Sequence, residues 1–416
     1  AKLLEAGRGI LKELKAEGMH PLYENIEHPL IYVLYTMEKR GVRFDKEYLR
    51  NMERTLKEKM KGLEEEIFRI AGASFNLNSP KQVAEVLFVK LKLKPIKRTR
   101  SGFSTDEETL THLALSGNRI AELILEHRKL SKLLGTYIKG IEKRMDESGR
   151  VHTTFLQTGT ATGRLSSLAP NLQNLPVSNG SFNVRRAVVA GEGFTLVWAD
   201  YSQIELRILA HLSQDEKLIT AYRSGKDIHS ETARRLFKTD SVSEPLRRVA
   251  KMVNFGIIYG MGAKGLSERL GIPLKEAEDY INRYFEEFPG VKEYIERTIE
   301  SAYSRGYVKT LFGRRRPLPE LFSSEKSVRS FGERVAINAV VQGTSADIVK
   351  LAMVKLQEEV ERLGGFIILQ VHDEIVVEVP EGEEERARRL VKEVMEKVVK
   401  LSVPLEAKVS SGRHWS

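Results

Sequence analysis

Two apolar runs of strand character lie far apart in this chain, and each brings an acid to its end. Phe194-Thr-Leu-Val-Trp-Ala-Asp200 closes on a carboxylate and turns directly into a helical stretch, Gln203 to Leu212. Phe366 to Val371 and Ile375 to Val379 read as a β-hairpin with His372-Asp373-Glu374 in its turn, after Gly364-Gly365 has broken a helix. The stretch 215–310 between them is patterned as helices. Such a chain must assemble its sheet from distant segments, so the expected class is α+β: a small antiparallel sheet with helices in separate layers. If the two strands are neighbours, Asp200 and Asp373 converge at one edge of that sheet. Two carboxylates without a cysteine or a histidine cluster offer the oxygen ligands that Mg²⁺ prefers. A pair of such ions about 3.5–4 Å apart can activate an attacking oxygen and stabilise a leaving one in phosphoryl transfer. An acid beside a turn is more often a solvated turn residue, so the pair needs support.

Support comes from residues 247–260, Arg-Arg-Val-Ala-Lys-Met-Val-Asn-Phe-Gly-Ile-Ile-Tyr-Gly. Arg247, Lys251, Phe255 and Tyr259 recur every four residues, which on a helix makes one slanting stripe. Two cations followed by two aromatics suit a triphosphate at one end and a sugar and base at the other. The plain alternative is a basic helix face beside a core contact. Gly260-Met-Gly262-Ala-Lys-Gly265 matches the dinucleotide-binding pattern G-x-G-x-x-G. The amphipathic helix expected over Pro273 to Phe288, in place of a second parallel strand, argues against that fold. The chain has no G-x-x-x-x-G-K-[ST], H-E-x-x-H or G-x-S-x-G.

The 416 residues predict several domains at roughly 100–200 residues each. With 41% apolar and 30% charged residues there is ample core and little expectation of disorder. No run approaches the roughly 18 apolar residues of a membrane span. Zero cysteines removes disulfides, thiolate metal sites and cysteine nucleophiles together. Without a signal-peptide pattern the expected compartment is the cytoplasm. The net charge of +10 is concentrated in residues 1–150, with 29 Lys/Arg against 22 Asp/Glu. That excess suggests a grip on a polyanion, most often nucleic acid, or else a lysine-rich solvated face. Abundant Lys, Arg and Glu without cysteine also fit a thermophilic source. Apolar residues from Leu49 to Ile70 recur at helical spacing, predicting a long helix over Asp45 to Ala71. Ser79 should cap a helix that starts at Pro80. Lys90 to Arg100 reads as a mobile basic loop, followed by a long helix over Ile120 to Met145. Gly159 to Ser167 reads as a loop that approaches a ligand closely. A helix from Glu383 to Leu401 and a strand from Val403 to Val409 should close the chain.

Taken together, these segments resemble the family A DNA polymerases of the bacterial DNA polymerase I type. Asp200-Tyr-Ser-Gln-Ile-Glu205-Leu-Arg is similar to the family's motif A, Arg247 through Tyr259-Gly260 to motif B, and His372-Asp373-Glu374 to motif C. Thr160 to Ser167, Pro170 to Asn174 and Val341 to Asp347 also match, and the likeness runs in order from about residue 26 to the C-terminus. The resemblance implies a right-hand architecture with an antiparallel-sheet palm, helical fingers and a helical thumb. Its parts would be a helical stub (1–25), a thumb (26–150), palm (151–218 and 336–416) and fingers (219–335).

The implied reaction is addition of deoxynucleotides to a primer 3′-hydroxyl. Asp200 and Asp373, with the carbonyl of Tyr201, would hold two Mg²⁺, for which Mn²⁺ can substitute. Arg247, Lys251 and His229 would bind the triphosphate, Phe255 would pack on the sugar, and Tyr259 would stand at the template-base position. Glu205 would fill the space of a ribose 2′-hydroxyl, with Gln203 near the same pocket; the role of Glu374 stays open. Arg164, Gln173, Asn174, Asn338, Gln342 and His372 would meet the primer–template duplex, and Arg128 and Lys132 its backbone in the thumb. The amides suit the minor groove, whose acceptors recur on every base pair. A monomer acting in DNA replication and repair, apart from membranes, is implied. Only about 25 residues precede the thumb, so this stretch is expected to polymerise without proofreading. A single-subunit RNA polymerase and a catalytically silent nucleic-acid clamp are the alternatives. Gln203 and Glu205 argue against the first, and the retained carboxylates, Arg247 and Lys251 against the second.

Overall fold

Strands β1 (Phe194–Tyr201), β2 (Phe366–Val371), β3 (Glu374–Pro380) and β4 (Ala407–Gly412) pair in the order β2-β3-β1-β4, every neighbour antiparallel. This sheet is the centre of the larger of two units in the computed structural model of the protein, which describes residues 2–99, 102–176 and 182–416. That unit comprises residues 1–41, 153–174 and 190–413, and the other 42–152, 175–189 and 414–416. β1 and β3 are buried almost throughout on both faces, as their mainly apolar sequences favour. The helix Glu384–Lys397 packs on β1 and β4, and the helices His28–Arg40 and Lys326–Arg362 pack on β2. No parallel pair occurs among the described strands, and Gly260 to Gly265 leads into two helices, Ala263–Leu270 and Leu274–Glu287. The dinucleotide-binding pattern is therefore incidental.

Charges inside this unit are matched. Glu378 on β3 is 0% exposed; Arg40 reaches its Oε2 through Nη2 (2.6 Å) and Nε (2.8 Å), and the Gly191 N–H donates to Oε1 at 2.7 Å. The Arg40 guanidinium also lies 4.0 Å from the centre of the Phe366 ring. A second cluster joins Glu27, Arg314, Asp347 and Lys350. Lys350 Nζ donates to Glu27 Oε1 at 2.8 Å, and Arg314 bridges Glu27 and Asp347. Thr310 Oγ1 donates to Asp347 Oδ2 at 2.7 Å. Burial pushes Lys350 down and Asp347 up from their ordinary values, and the opposite charges around them resist both shifts.

The smaller unit is mainly helical. Lys46–Ala71 begins at Asp45, whose side chain accepts from the Tyr48 N–H at 2.9 Å. It buries Leu49, Met52, Leu56, Leu63 and Ile67 against Arg119–Lys132, which offers Leu123, Ile124 and Leu130. Each such side chain contributes roughly 1.5–3 kcal/mol through lost water contact. Ser79 caps Pro80–Ala84 as the sequence implies. The basic segment contains a two-residue strand, Arg98–Thr99, paired with Gly102–Phe103, while Arg100 lies outside the described residues.

Three element boundaries differ from expectation. The second long helix passes through a π-helical stretch, Leu133–Lys139, after Lys132. The last helix ends at Lys397 rather than Leu401. The last strand is Ala407–Gly412, because Pro404 has no N–H to give a ladder and pairing with β1 sets the register.

Replacing Arg40 by Ala should take the guanidinium away from the buried Glu378 carboxylate, which the Gly191 N–H still meets. The expected loss, about 3 kcal/mol in denaturant unfolding, should be relieved in part by adding Glu378→Gln.

Candidate active site

The register of β3 on β1 sets Glu374 opposite Asp200, and the Tyr201 N–H donates to the Asp373 carbonyl at 3.2 Å. Both predicted acids therefore reach one end of the sheet. Asp200 is exposed, and alternation turns the neighbouring Tyr201 ring to the other face, where its hydroxyl donates to the Met395 carbonyl at 2.7 Å. The turn holds His372 (φ +53°) and Asp373, whereas Glu374, expected in the turn, is the first residue of β3 and is buried. Burial pushes the Asp373 carboxyl above its ordinary value, opposed by the nearby Arg164 charge and by Ser345 Oγ, which donates to Oδ1 at 3.1 Å.

Among the described residues no group of three or more His, Asp or Glu is arranged to hold a metal ion. The candidate ligands at the sheet end, the carboxylates of Asp200 and Asp373 and the carbonyl of Tyr201, are oxygen donors, and Glu374 stands opposite Asp200. That set fits Mg²⁺, which dehydrates reluctantly and completes its shell with water and substrate phosphates.

Beside the acids, Glu205 lies in the first turn of the helix Ile204–Ser213, whose N-cap, Gln203, adopts a left-handed conformation (φ +54°). Glu205 is buried; Arg164 Nη2 donates to its Oε1 at 2.8 Å and the Tyr259 hydroxyl to its Oε2 at 3.0 Å. Burial raises the Glu205 carboxyl, against the pull of Arg164, and burial together with the Glu205 charge pushes the Tyr259 phenol up to about 12. The Gln203 side chain accepts from the Tyr222 hydroxyl at 3.3 Å.

The predicted stripe lies on the helix Glu244–Ile258 and its cap, Tyr259. The rings of Phe255 and Tyr259 stack at 6.3 Å, and His229 tilts against Phe255 at 5.8 Å. Lys251 is exposed. Arg247 makes a two-pronged pair with Asp227, Nε to Oδ1 at 3.1 Å and Nη2 to Oδ2 at 3.0 Å. Burial works against the Asp227 charge, yet Arg247 and Ser230 bring that carboxyl down to about 2. His229 is 2% exposed; burial first, then the charges of Arg247 and Lys251, lower it to about 4 against the pull of Asp227.

A cleft of about 320 Å³ opens beside Asp373 and is lined by Arg164, Gln173, Asn174, Gln342 and His372. Asn338 stands one turn before Gln342 on the long helix Lys326–Arg362. Gln173 is buried and donates to Gln370 Oε1 at 2.7 Å, so its amide is engaged inside the wall. Two glycines allow close packing behind the cleft wall. Gly163 (φ +83°) lies where a Cβ would come within 2.5 Å of Arg314, and a Cβ on Gly343 would come within 2.6 Å of Thr310. The charge cluster around Arg314 thus supports the loop that carries Arg164. Arg128 and Lys132 belong to the smaller unit. Arg128 donates to the carbonyl and hydroxyl of Thr105, and Lys132 is exposed.

Ser345, Asn254, Gln370 and Arg314 were not singled out in the sequence. A buried asparagine in the apolar middle of the stripe helix, and Lys350 inside an apolar helical run, were the available signals.

The chain belongs to DNA polymerase family A: the family's model matches residues 46–416. It is 50% identical to "DNA polymerase I, thermostable" of Thermus filiformis, over 99% of this chain and 51% of that protein. With DNA polymerase I of Caldicellulosiruptor bescii the identity is 48%, over 98% of this chain and 48% of the other. The chain spans about half the length of these curated relatives. Its fold matches the POL domain of Pol1 from M. smegmatis in complex with DNA primer-template and dNTP, at a TM-score of 0.93 and 40% identity, covering 99% of this chain and 74% of that one. No described helix is long and apolar enough to cross a membrane.

The lowered His229 makes a pH prediction. As pH falls from the ordinary imidazole value of 6.5 toward about 4, the unfolded chain takes up a proton that the folded chain refuses. Stability from this group is therefore complete above that window and lost on acidification through it, by up to about 3 kcal/mol. Urea unfolding across the window should show a shallower acid loss for His229→Gln than for the wild type.

Proposed function

We propose that this chain is a template-directed DNA polymerase that extends a primer 3′-hydroxyl with deoxynucleoside triphosphates. The observation that carries the reading is the β1–β3 register, which sets Asp200 and Asp373 at one sheet end beside a cleft lined by amides and Arg164. In the reaction the primer 3′-oxygen forms a bond to the α-phosphorus, the bond from that phosphorus to the bridging oxygen breaks, and pyrophosphate leaves. Asp200, Asp373 and the Tyr201 carbonyl would hold two Mg²⁺, or Mn²⁺ in their place. Ions so held supply charge stabilisation at the attacking and leaving oxygens.

This chain's side chains do the rest. Arg247 and Lys251 offset the triphosphate charge, and His229 adds a phosphate contact. Phe255 packs against the sugar, and Glu205, fixed by Arg164 and Tyr259, closes the space beside its 2′-carbon. Glu205 cannot swing aside without breaking both hydrogen bonds, so a 2′-hydroxyl meets a rigid, buried wall. This favours deoxynucleotides over ribonucleotides. Asn174, Asn338, Gln342 and His372 contact the duplex without base choice, and Arg128 and Lys132 contact its phosphates, making binding salt-dependent. Residues 26–150 are read as thumb, 151–218 and 336–416 as palm, and 219–335 as fingers. The protein acts as a monomer in the cytoplasm, and the 416 residues extend primers without trimming them.

Primer extension with Mg²⁺ and four dNTPs tests the reading. Template-length product is expected from the wild type, and none from Asp200→Ala or Asp373→Ala, with duplex affinity kept within a few-fold. Duplex binding without any extension by the wild type would favour a silent clamp. In the same assay Glu205→Ala should admit ribonucleotides at least tenfold more readily, roughly the 1.4 kcal/mol that one lost steric or hydrogen-bond constraint costs; an unchanged sugar preference would place the gate elsewhere.

A further inference from the structure

A histidine without charge can offer an anion only an N–H, and only from the nitrogen that carries its one proton. In His229 the Nδ1 atom lies 3.0 Å from Nδ2 of Asn254. Asn254 is fully buried in the middle of the stripe helix, one residue before Phe255. Thr232 Oγ1 lies 3.2 Å from Asn254 Oδ1 and 3.1 Å from its Nδ2. The threonine hydroxyl donates to Oδ1 and accepts one amide N–H, and the other amide N–H faces the imidazole. An NH₂ group facing Nδ1 requires that nitrogen to be bare, and the ring proton then sits on Nε2.

We propose that Asn254, oriented by Thr232, is a positioning residue for nucleotide binding: it holds His229 in the Nε2–H tautomer and so presents an N–H donor to a phosphate oxygen of the incoming triphosphate. The proposal rests on the reading of His229 as a phosphate contact. The surroundings agree with an uncharged donor. Arg247 and Lys251 disfavour a third cation here, Asp227 favours one, and burial outweighs Asp227. With two cations already offsetting the triphosphate, a neutral N–H adds direction without more like charge. Because His229 also packs on Phe255, fixing the plane of the imidazole steadies the ring that meets the sugar.

Selective ¹⁵N labelling of the nine histidines, with the His229→Gln spectrum subtracted, reads the tautomer without any assay of activity. At neutral pH the wild type should show an unprotonated Nδ1 and a protonated Nε2. In Asn254→Asp, nearly isosteric, the carboxylate accepts from Nδ1, and that nitrogen should become protonated. Asn254→Ala should weaken apparent dNTP affinity in single-nucleotide extension about tenfold, the scale of one hydrogen bond to a charged group. That penalty should vanish in a His229→Gln background. A protonated Nδ1 in the wild type overturns the proposal. So does an Asn254→Ala penalty that persists without His229, the mark of a merely structural asparagine. The expected tautomer in a wild type that extends no primer overturns the polymerase reading instead, and unimpaired dNTP affinity in His229→Gln overturns the phosphate contact.

Discussion

Everything at the proposed site depends on one pairing, the antiparallel ladder between β1 and β3. The two strands come from opposite halves of the chain, and their register alone decides that Asp200 meets Glu374 and that Asp373 caps the same end. A slip of one residue would turn every β1 side chain to the other face, burying Asp200 and turning out Tyr201. The register is held from several directions. β4 pairs along the other side of β1, the Tyr201 hydroxyl is tied to Met395, and the Arg40–Glu378 pair anchors β3 toward its far end.

Buried charge gives this unit a single arrangement rather than extra stability. An ion pair inside a protein is seldom worth more than the apolar residues that could replace it, but one partner alone costs several kcal/mol. Glu27, Arg314, Asp347 and Lys350 come from three separate parts of the chain, and each is tolerable in the interior only when the others are in place. Their arrangement determines where Arg314 lies, and Gly163 is the residue that lets the Arg164 loop close over it. A structural cluster and the hydrogen bond from Arg164 to Glu205 are in this way parts of one chain of contacts.

The proposed nucleotide site is built from groups that already have partners. Arg247 is matched by Asp227, and Glu205 by Arg164 and Tyr259. A triphosphate that recruits Arg247 must offer more than the Asp227 carboxylate does, and its three charged groups, with Lys251 and an N–H from His229 also in reach, can do so. Tyr259 cannot leave its place without giving up the Glu205 hydrogen bond. Movement at that end of the stripe helix is thereby linked to the group proposed to guard the sugar pocket.

Much of this was legible in the sequence because it is local. The apolar run Phe194 to Ala199 marks a strand, the period of four in Arg247 to Tyr259 reports which face a side chain takes, and a cap such as Ser79 works within four residues. The order of the motifs was enough to indicate the family. Partners were not legible, because contacts between distant residues leave no mark on local spacing. Nothing near Asn254 points to His229, and nothing near Glu27 points to Lys350. The last strand was misplaced because its limits follow from where β1 offers free ladder groups, not from its own residues. The sequence by itself determined the elements and the kinds of chemistry they carry. Only the tertiary structure decided which side chain faces Nδ1 of His229, which carboxylate Arg247 holds, and that two acids far apart in the chain share one end of a sheet, since each is a matter of register and burial.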